Sequence, residues 1–309
     1  MTDAILKNIS GMKHAAPVAQ ARAETLSDAI FFQDYVSQSR PLLIKGAVAH
    51  WPAARNWRDP DYLKKLCGHY EVLFFPHENH VTFKRMLDGQ QDMTLAQALD
   101  RLHSPSLAVA SLGLKQDFPE MRRDVGRFSF LTRAEPSFFY PPIRYFIYRN
   151  AGSAWHYHPF DETLMCQLVG GKRTGLLNCR GPFQQQLQQM FFREDYYEDP
   201  TQFAELEKAG LQFSVADVEE GDALYIPPLW WHGVSPLTDS FGVTAAVPWR
   251  SPPNVVADCI RRMAAGQVNL MGSTSSAQFE ALLAMAGKLG LAKELSAAME
   301  RAHAIPVAL

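Results

Sequence analysis

Two short stretches constrain this chain more than anything else in it. One is Trp155-His156-Tyr157-His158-Pro159-Phe160-Asp161-Glu162; the other, far downstream, is Gly221-Asp222-Ala223-Leu224-Tyr225-Ile226-Pro227-Pro228-Leu229-Trp230-Trp231-His232. Side chains alternate faces along a strand with period two, so His156 and His158 share a face if the strand runs through both. His232 joins them only if two strands remote in sequence become neighbours in space, as happens in an antiparallel barrel. A lone histidine is usually a satisfied core residue. Imidazoles in two such stretches, with Asp161 and Glu162 close behind, point to a metal site instead.

The rest of the chain supplies the strands such a barrel needs. After a weakly patterned lead-in, Ser27 caps a predicted helix over 28–37, and Leu42-Leu43-Ile44 reads as a short apolar strand closed by Gly46. A helix is expected from Asp59-Pro60 to Leu66, a strand over 71–75, and an amphipathic helix from the Thr94 cap to Leu102. His77 and His80 fall in a polar turn and read as solvated. Residues 105–142 look irregular, with Arg122-Arg123 on the surface. Strands are expected at 143–149, 153–158, 163–169, 173–177, 223–226, 232–235 and 242–247. Gly170-Gly171 and Thr238-Asp239-Ser240 serve as turns. An excursion over 183–211 holds a helix at 200–209 and carries Phe191, Phe192, Tyr196 and Tyr197, which either cover the barrel mouth or pack the excursion down. After Pro252-Pro253, helices are expected at 254–265, 276–288 and 293–304.

The expected fold is therefore mainly β with α, a jelly-roll double-stranded β-helix with flanking N-terminal and C-terminal helices. Residues 1–250 form the barrel domain and 251–309 a helical extension. The apolar stripe of that extension, Val256, Ile260, Met263, Phe279, Leu282, Leu283 and Leu289, suggests a homodimer contact. Over 309 residues, 47% are hydrophobic, 20% charged, and the formal net charge is −2. So balanced a charge gives no reason to expect a nucleic-acid or membrane partner. Cys67, Cys166, Cys179 and Cys259 lack metal-ribbon spacing and read as buried thiols of a reducing compartment. No apolar run approaches the roughly 18–20 residues that span a bilayer. Residues 1–7 lack a signal-peptide pattern, so a cytoplasmic location is expected.

Several pieces, taken in order, resemble a known family. They are Arg40-Pro41-Leu42-Leu43-Ile44-Lys45-Gly46, Trp51-Pro52, Trp57 with Tyr62-Leu63, the His156 motif, Cys166 to Arg173, Gly221 to Pro227, Trp230-Trp231-His232 and Pro248-Trp249. Over roughly residues 24–250 the chain is similar to the JmjC-like, cupin-8 type Fe(II)/2-oxoglutarate-dependent oxygenases. The resemblance implies Fe(II) and 2-oxoglutarate as cofactors, with hydroxylation of a small metabolite, amino acid or peptide as the reaction. It implies His156 and His232 as iron ligands, Lys172 as the anchor for the distal carboxylate of 2-oxoglutarate, and Ser153 as its helper. Tyr145 and Tyr148 precede the site, and either one reaches the pocket or both pack in the core. The family's first motif reads His-x-Asp/Glu, so His158 stands where its carboxylate belongs. Either three histidines hold the iron, or Asp161 or Glu162 swings in. The same residues also fit the general cupin pattern of three histidines and one glutamate, used by metal oxidases and dioxygenases without 2-oxoglutarate. A non-enzymatic cupin binding protein is a third reading.

Overall fold

The computed structural model describes residues 6, 10–76, 90–104, 110–114, 118–137, 139–178, 183–191, 201–237, 241–268 and 276–304. His77, His80, Cys179, the 238–240 turn and residues 192–200 of the excursion, with Phe192, Tyr196 and Tyr197, lie outside them, as does the side chain of Phe191.

Fourteen strands are described: β1 (Ala16–Pro17), β2 (Ala19–Arg22), β3 (Leu42–Lys45), β4 (Glu71–Pro76), β5 (Gln91–Thr94), β6 (Ala110–Leu114), β7 (Arg144–Arg149), β8 (Ser153–His156), β9 (Asp161–Val169), β10 (Lys172–Asn178), β11 (Ser214–Val218), β12 (Ala223–Ile226), β13 (Trp230–Pro236) and β14 (Phe241–Arg250). They form a five-stranded sheet, β1-β11-β10-β13-β8, and a nine-stranded sheet, β2-β3-β12-β9-β14-β7-β6-β4-β5. Leu176, Val218 and Val234 of the first pack against Leu43, Met165, Leu224 and Ile226 of the second, closing a jelly-roll interior between the sheets.

Every residue of β9 is buried, because both of its faces are covered. Met165 looks into the barrel, while Leu164, Cys166 and Leu168 look out into a larger core. That outer core includes Phe31, Trp51, Trp57, Leu63, Leu99 and Tyr225, supplied largely by the N-terminal helices. On the outer side of the five-stranded sheet, Trp155 lies flat over two glycines. A Cβ on Gly175 would stand 2.9 Å from its ring, and one on Gly233 would stand 2.8 Å away. Glycine at both positions is what lets the indole seal this face.

Several expectations change in detail. The lead-in contributes β1 and β2, which pair parallel with β11 and β3; their residues are mostly exposed, so they carry no apolar alternation to read. The 28–37 helix is a short α turn, Asp28–Ile30, that widens into π geometry over Phe31–Val36. β6, within the stretch expected to be irregular, and β5 extend the nine-stranded sheet. The strand expected over 153–158 ends at His156; the chain then turns through Pro159 and re-enters as β9 in the other sheet. The C-terminal helices Pro253–Ala264, Ser276–Lys288 and Ala292–Ala304 are close to expectation. Their stripe faces inward: Val256, Ile260, Met263 and Leu282 are buried with Trp155, Phe160 and Trp231 of the same chain, and Leu283 and Leu289 pack against that cluster.

Candidate metal centre

β8 and β13 are antiparallel neighbours, and their register sets His156 directly opposite His232. A bulge follows, so that Ser153 opposes Val234. The two imidazole centroids are 4.1 Å apart. His158 lies just beyond the end of β8, its ring centroid 5.3 Å from each of the other two. Its backbone carbonyl accepts from Leu229 N at 2.8 Å. Leu229 sits at φ 61°, a left-handed conformation uncommon for a non-glycine residue. That hydrogen bond ties the Pro227-Pro228 turn to the segment carrying His158, and so fixes the third imidazole against the other two.

One nitrogen from each ring converges: the ligand atoms of His156, His158 and His232 lie within 4.8 Å of one another. The remaining nitrogens are engaged elsewhere. His156 Nδ1 donates to Ala154 O at 2.8 Å, and His232 Nδ1 donates to Trp230 O at 2.9 Å. A carbonyl only accepts, so these bonds fix the Nδ1–H tautomer and leave each Nε2 lone pair free. His158 Nδ1 meets the Tyr140 hydroxyl at 3.2 Å. Metal-binding histidines are characteristically oriented through their second nitrogen in this way. Burial holds all three rings neutral, helped by the nearby Arg144 charge: His156 is pushed down to about 4, and His158 and His232 fall well below the ordinary histidine range. Neutral imidazole is the form a metal binds.

The two carboxylates are not part of this cluster. Glu162 begins the outward-facing set of β9, where its Oε2 accepts from Tyr225 Oη at 2.6 Å inside the outer core. A face shared by 156, 158 and 162 would need an unbroken strand, and the turn at 157–160 between β8 and β9 breaks it. Asp161 has the opposite phase, in step with the inward-facing Met165, and sits across from Arg250 in the register.

The tyrosines also part. Tyr145 points outward and packs edge-on against Trp57 and Phe118. Tyr148 points inward, accepts from Gln167 Nε2 at 2.9 Å, and lies beneath Lys172, whose Nζ is 4.1 Å from its ring centre. Gly242 makes room for this ring, since a Cβ there would collide with its Cζ and hydroxyl.

Along the inner face of the five-stranded sheet, the residues form successive rows. His156, His232 and Leu176 form one; Ser153, Val234 and Thr174 the next; Pro236 and Lys172 the last. Lys172 thus enters the strand four residues from the histidine row, roughly 13 Å along the backbone. It is 6% exposed, and no ion pair or hydrogen bond reaches its ammonium among the described residues. Burial alone lowers its pKa from 10.5 to about 7. In the row between, Thr174 Oγ1 is buried without a hydrogen-bond partner among the described residues. A buried cation and an orphaned hydroxyl at set distances from three convergent imidazoles suit a bound anion.

Three residues bearing on the site were not singled out in the sequence: Tyr140, Thr174 and Arg144. Tyr140 orients His158, and the Arg144 guanidinium lies over the Tyr140 ring, 3.9 Å from its centre. Counting back in twos from an inward Tyr148 gives Phe146 and Arg144, which is the signal that would have found the arginine.

A jelly roll with three convergent histidines inside it is an arrangement that could hold a metal ion. The chain belongs to the cupin-like domain family, whose model matches residues 28–255, and within it to the JmjC-like members. It is 26% identical over 244 residues to the lysine-specific demethylase JMJ30 of Arabidopsis thaliana, covering 69% of this chain and 51% of that one. It is 27% identical over 224 residues to Jumonji C domain-containing protein 5 of Drosophila melanogaster, covering 66% and 54%. Against the human tRNA wybutosine-synthesizing protein 5 it is 25% identical over 264 residues, covering 75% and 78%. The chain spans about half the length of the first two. No described helix is long and apolar enough to cross a membrane.

Proposed function

We propose that this chain is an Fe(II)- and 2-oxoglutarate-dependent oxygenase, a hydroxylase of a small metabolite, amino acid or peptide. The observation that carries the reading is the pairing of three convergent, neutral, Nδ1-anchored imidazoles with the buried Lys172, which no ion pair reaches among the described residues. His156, His158 and His232 would hold the metal. Lys172 would take the distal carboxylate of 2-oxoglutarate, with Thr174 and Ser153 on the row between. Together the metal and cosubstrate would supply O2-dependent oxidation of an unactivated C–H bond.

The protein's own contribution is binding, orientation and dryness. The carbonyls of Ala154 and Trp230 and the hydroxyl of Tyr140 fix the three rings, so the donor geometry exists before a metal arrives. Lys172 becomes favourably charged once a carboxylate replaces the water it lost on burial. Tyr148, held by Gln167, keeps the ammonium from swinging away. Leu176, Val234, Met165, Leu224 and Ile226 close the interior apolar and exclude water. The three-histidine-one-glutamate alternative draws no support from Glu162, which is turned to the far face of β9. The test is succinate formed from 2-oxoglutarate in an O2- and Fe(II)-dependent manner, and its loss in Lys172→Met.

A further inference from the structure

Arg144 is a charged group that bears on all three histidines and that the proposed chemistry does not use. It begins β7 on the face shared with Phe146 and Tyr148. Its guanidinium stacks on Tyr140, whose hydroxyl meets His158, and its charge is felt by all three histidines. Its Nε is enclosed and has no hydrogen-bond partner, and among the described residues no ion pair reaches the guanidinium. Arginine's planar fork is built for bidentate contact with a carboxylate. Asp161 is the acidic group whose field Arg144 feels. Beside it, Phe146 is 38% exposed, one of three large apolar side chains exposed among the described residues.

The balance of charge points the same way. Three neutral imidazoles bring no anion to the metal, unlike a site with a carboxylate ligand. A divalent metal and a dicarboxylate cosubstrate cancel each other. With Lys172 committed to the cosubstrate, Arg144 remains a cation that no ion pair reaches among the described residues, in an interior where an unpaired charge is costly. A substrate bringing a single negative charge completes the site.

The geometry points to Arg144 as a specificity residue that binds the carboxylate of a small monoanionic acid, with Phe146 flanking its apolar part. This inference rests on the reading of the histidine cluster as a metal centre, and it narrows the substrate class of that same site.

The test uses the full chain loaded anaerobically with Mn(II) and 2-oxoglutarate, so that nothing turns over. The probes are the free L-amino acids and short straight-chain monocarboxylic acids, each beside its own carboxamide, read by thermal shift and calorimetry. At least one acid should raise Tm and its amide should not. Arg144→Gln should weaken that acid about a hundredfold, and Arg144→Lys should restore part of the binding. Mn(II) and 2-oxoglutarate affinities should stay within about threefold in both variants. The inference is overturned if no acid binds, if acid and amide bind alike, or if Arg144→Gln and Arg144→Lys both keep full affinity. It is also overturned if these variants lose 2-oxoglutarate instead, which would make Arg144 a cosubstrate anchor. Failure of the wild-type chain to take up Mn(II) would overturn the metal-centre reading together with this one.

Discussion

His156 and His232 face each other across the β8–β13 ladder, and each donates its Nδ1 proton to the carbonyl two residues before it, Ala154 O and Trp230 O. The same local device is thus repeated on two strands, and it turns both Nε2 atoms inward without help from any other side chain. Replacing either histidine by alanine should lower Fe(II) or Mn(II) affinity by more than about a hundredfold, since a ligand and its fixed geometry go together. Metal content after dialysis, with circular dichroism as a check on folding, measures this.

His158 is oriented differently, through the Tyr140 hydroxyl. Tyr140→Phe removes that bond but keeps the ring on which Arg144 stacks. Metal affinity should fall by about tenfold, the low end of the range for outer partners of metal ligands, and less than in His158→Ala. Equal losses in the two variants would show that the hydroxyl does more than orient the ring.

Lys172 gives a pH dependence whose sign is fixed. Burial lowers its pKa from 10.5 to about 7 in the folded chain. Between those values the unfolded chain holds one more proton, so stability rises with pH across that window; below about pH 7 the burial penalty is fully present. At pH 7 it amounts to a few kcal/mol at most. Lys172→Met should therefore raise Tm at neutral pH while severely weakening 2-oxoglutarate binding, a trade of function for stability. In the wild-type protein, 2-oxoglutarate must recruit a proton to Lys172, so its Kd should weaken by up to about tenfold per pH unit above pH 7. Calorimetry between pH 7 and pH 8.5 on the Mn(II) form checks this slope.

The packing behind the site is testable through Gly233. A Cβ there meets the Trp155 ring at 2.8 Å, one residue from His232 and beside His156. Gly233→Ala should cost about 1–3 kcal/mol of stability. It should also weaken metal binding more than 2-oxoglutarate binding, because Lys172 lies two rows away. Urea unfolding and the two titrations separate these effects.

How much of this was legible in the sequence follows from what period two can and cannot say. The pairing of His156 with His232 was readable because the two stretches are compact and bounded by turns, Gly221-Asp222 and Pro227-Pro228. Gly221 takes φ +88° with Ala49 close against it, and Asp222 ties Lys45 and the Gly46 amide to that turn. Tyr145 and Tyr148 stand three apart and so take opposite faces of one strand, but alternation cannot say which is inward; that phase depends on the register with β14. Glu162 was misleading because the strand does not continue through Pro159. The chain changes sheets there, which resets the phase. Arg144 escaped notice because an arginine at the start of an aromatic strand reads as a solvated cation unless the pocket is already drawn. The strands β1 and β2 left no trace because edge strands this exposed need no apolar alternation.

The most direct measurement is an anaerobic optical titration of the Fe(II)-loaded chain with 2-oxoglutarate. A weak visible charge-transfer band should grow to one equivalent in the wild-type protein. It should be absent in His232→Ala and displaced to far higher 2-oxoglutarate concentration in Lys172→Met. An iron-loaded wild-type chain that shows no band at any 2-oxoglutarate concentration would contradict the account, and so would a band unaffected by Lys172→Met.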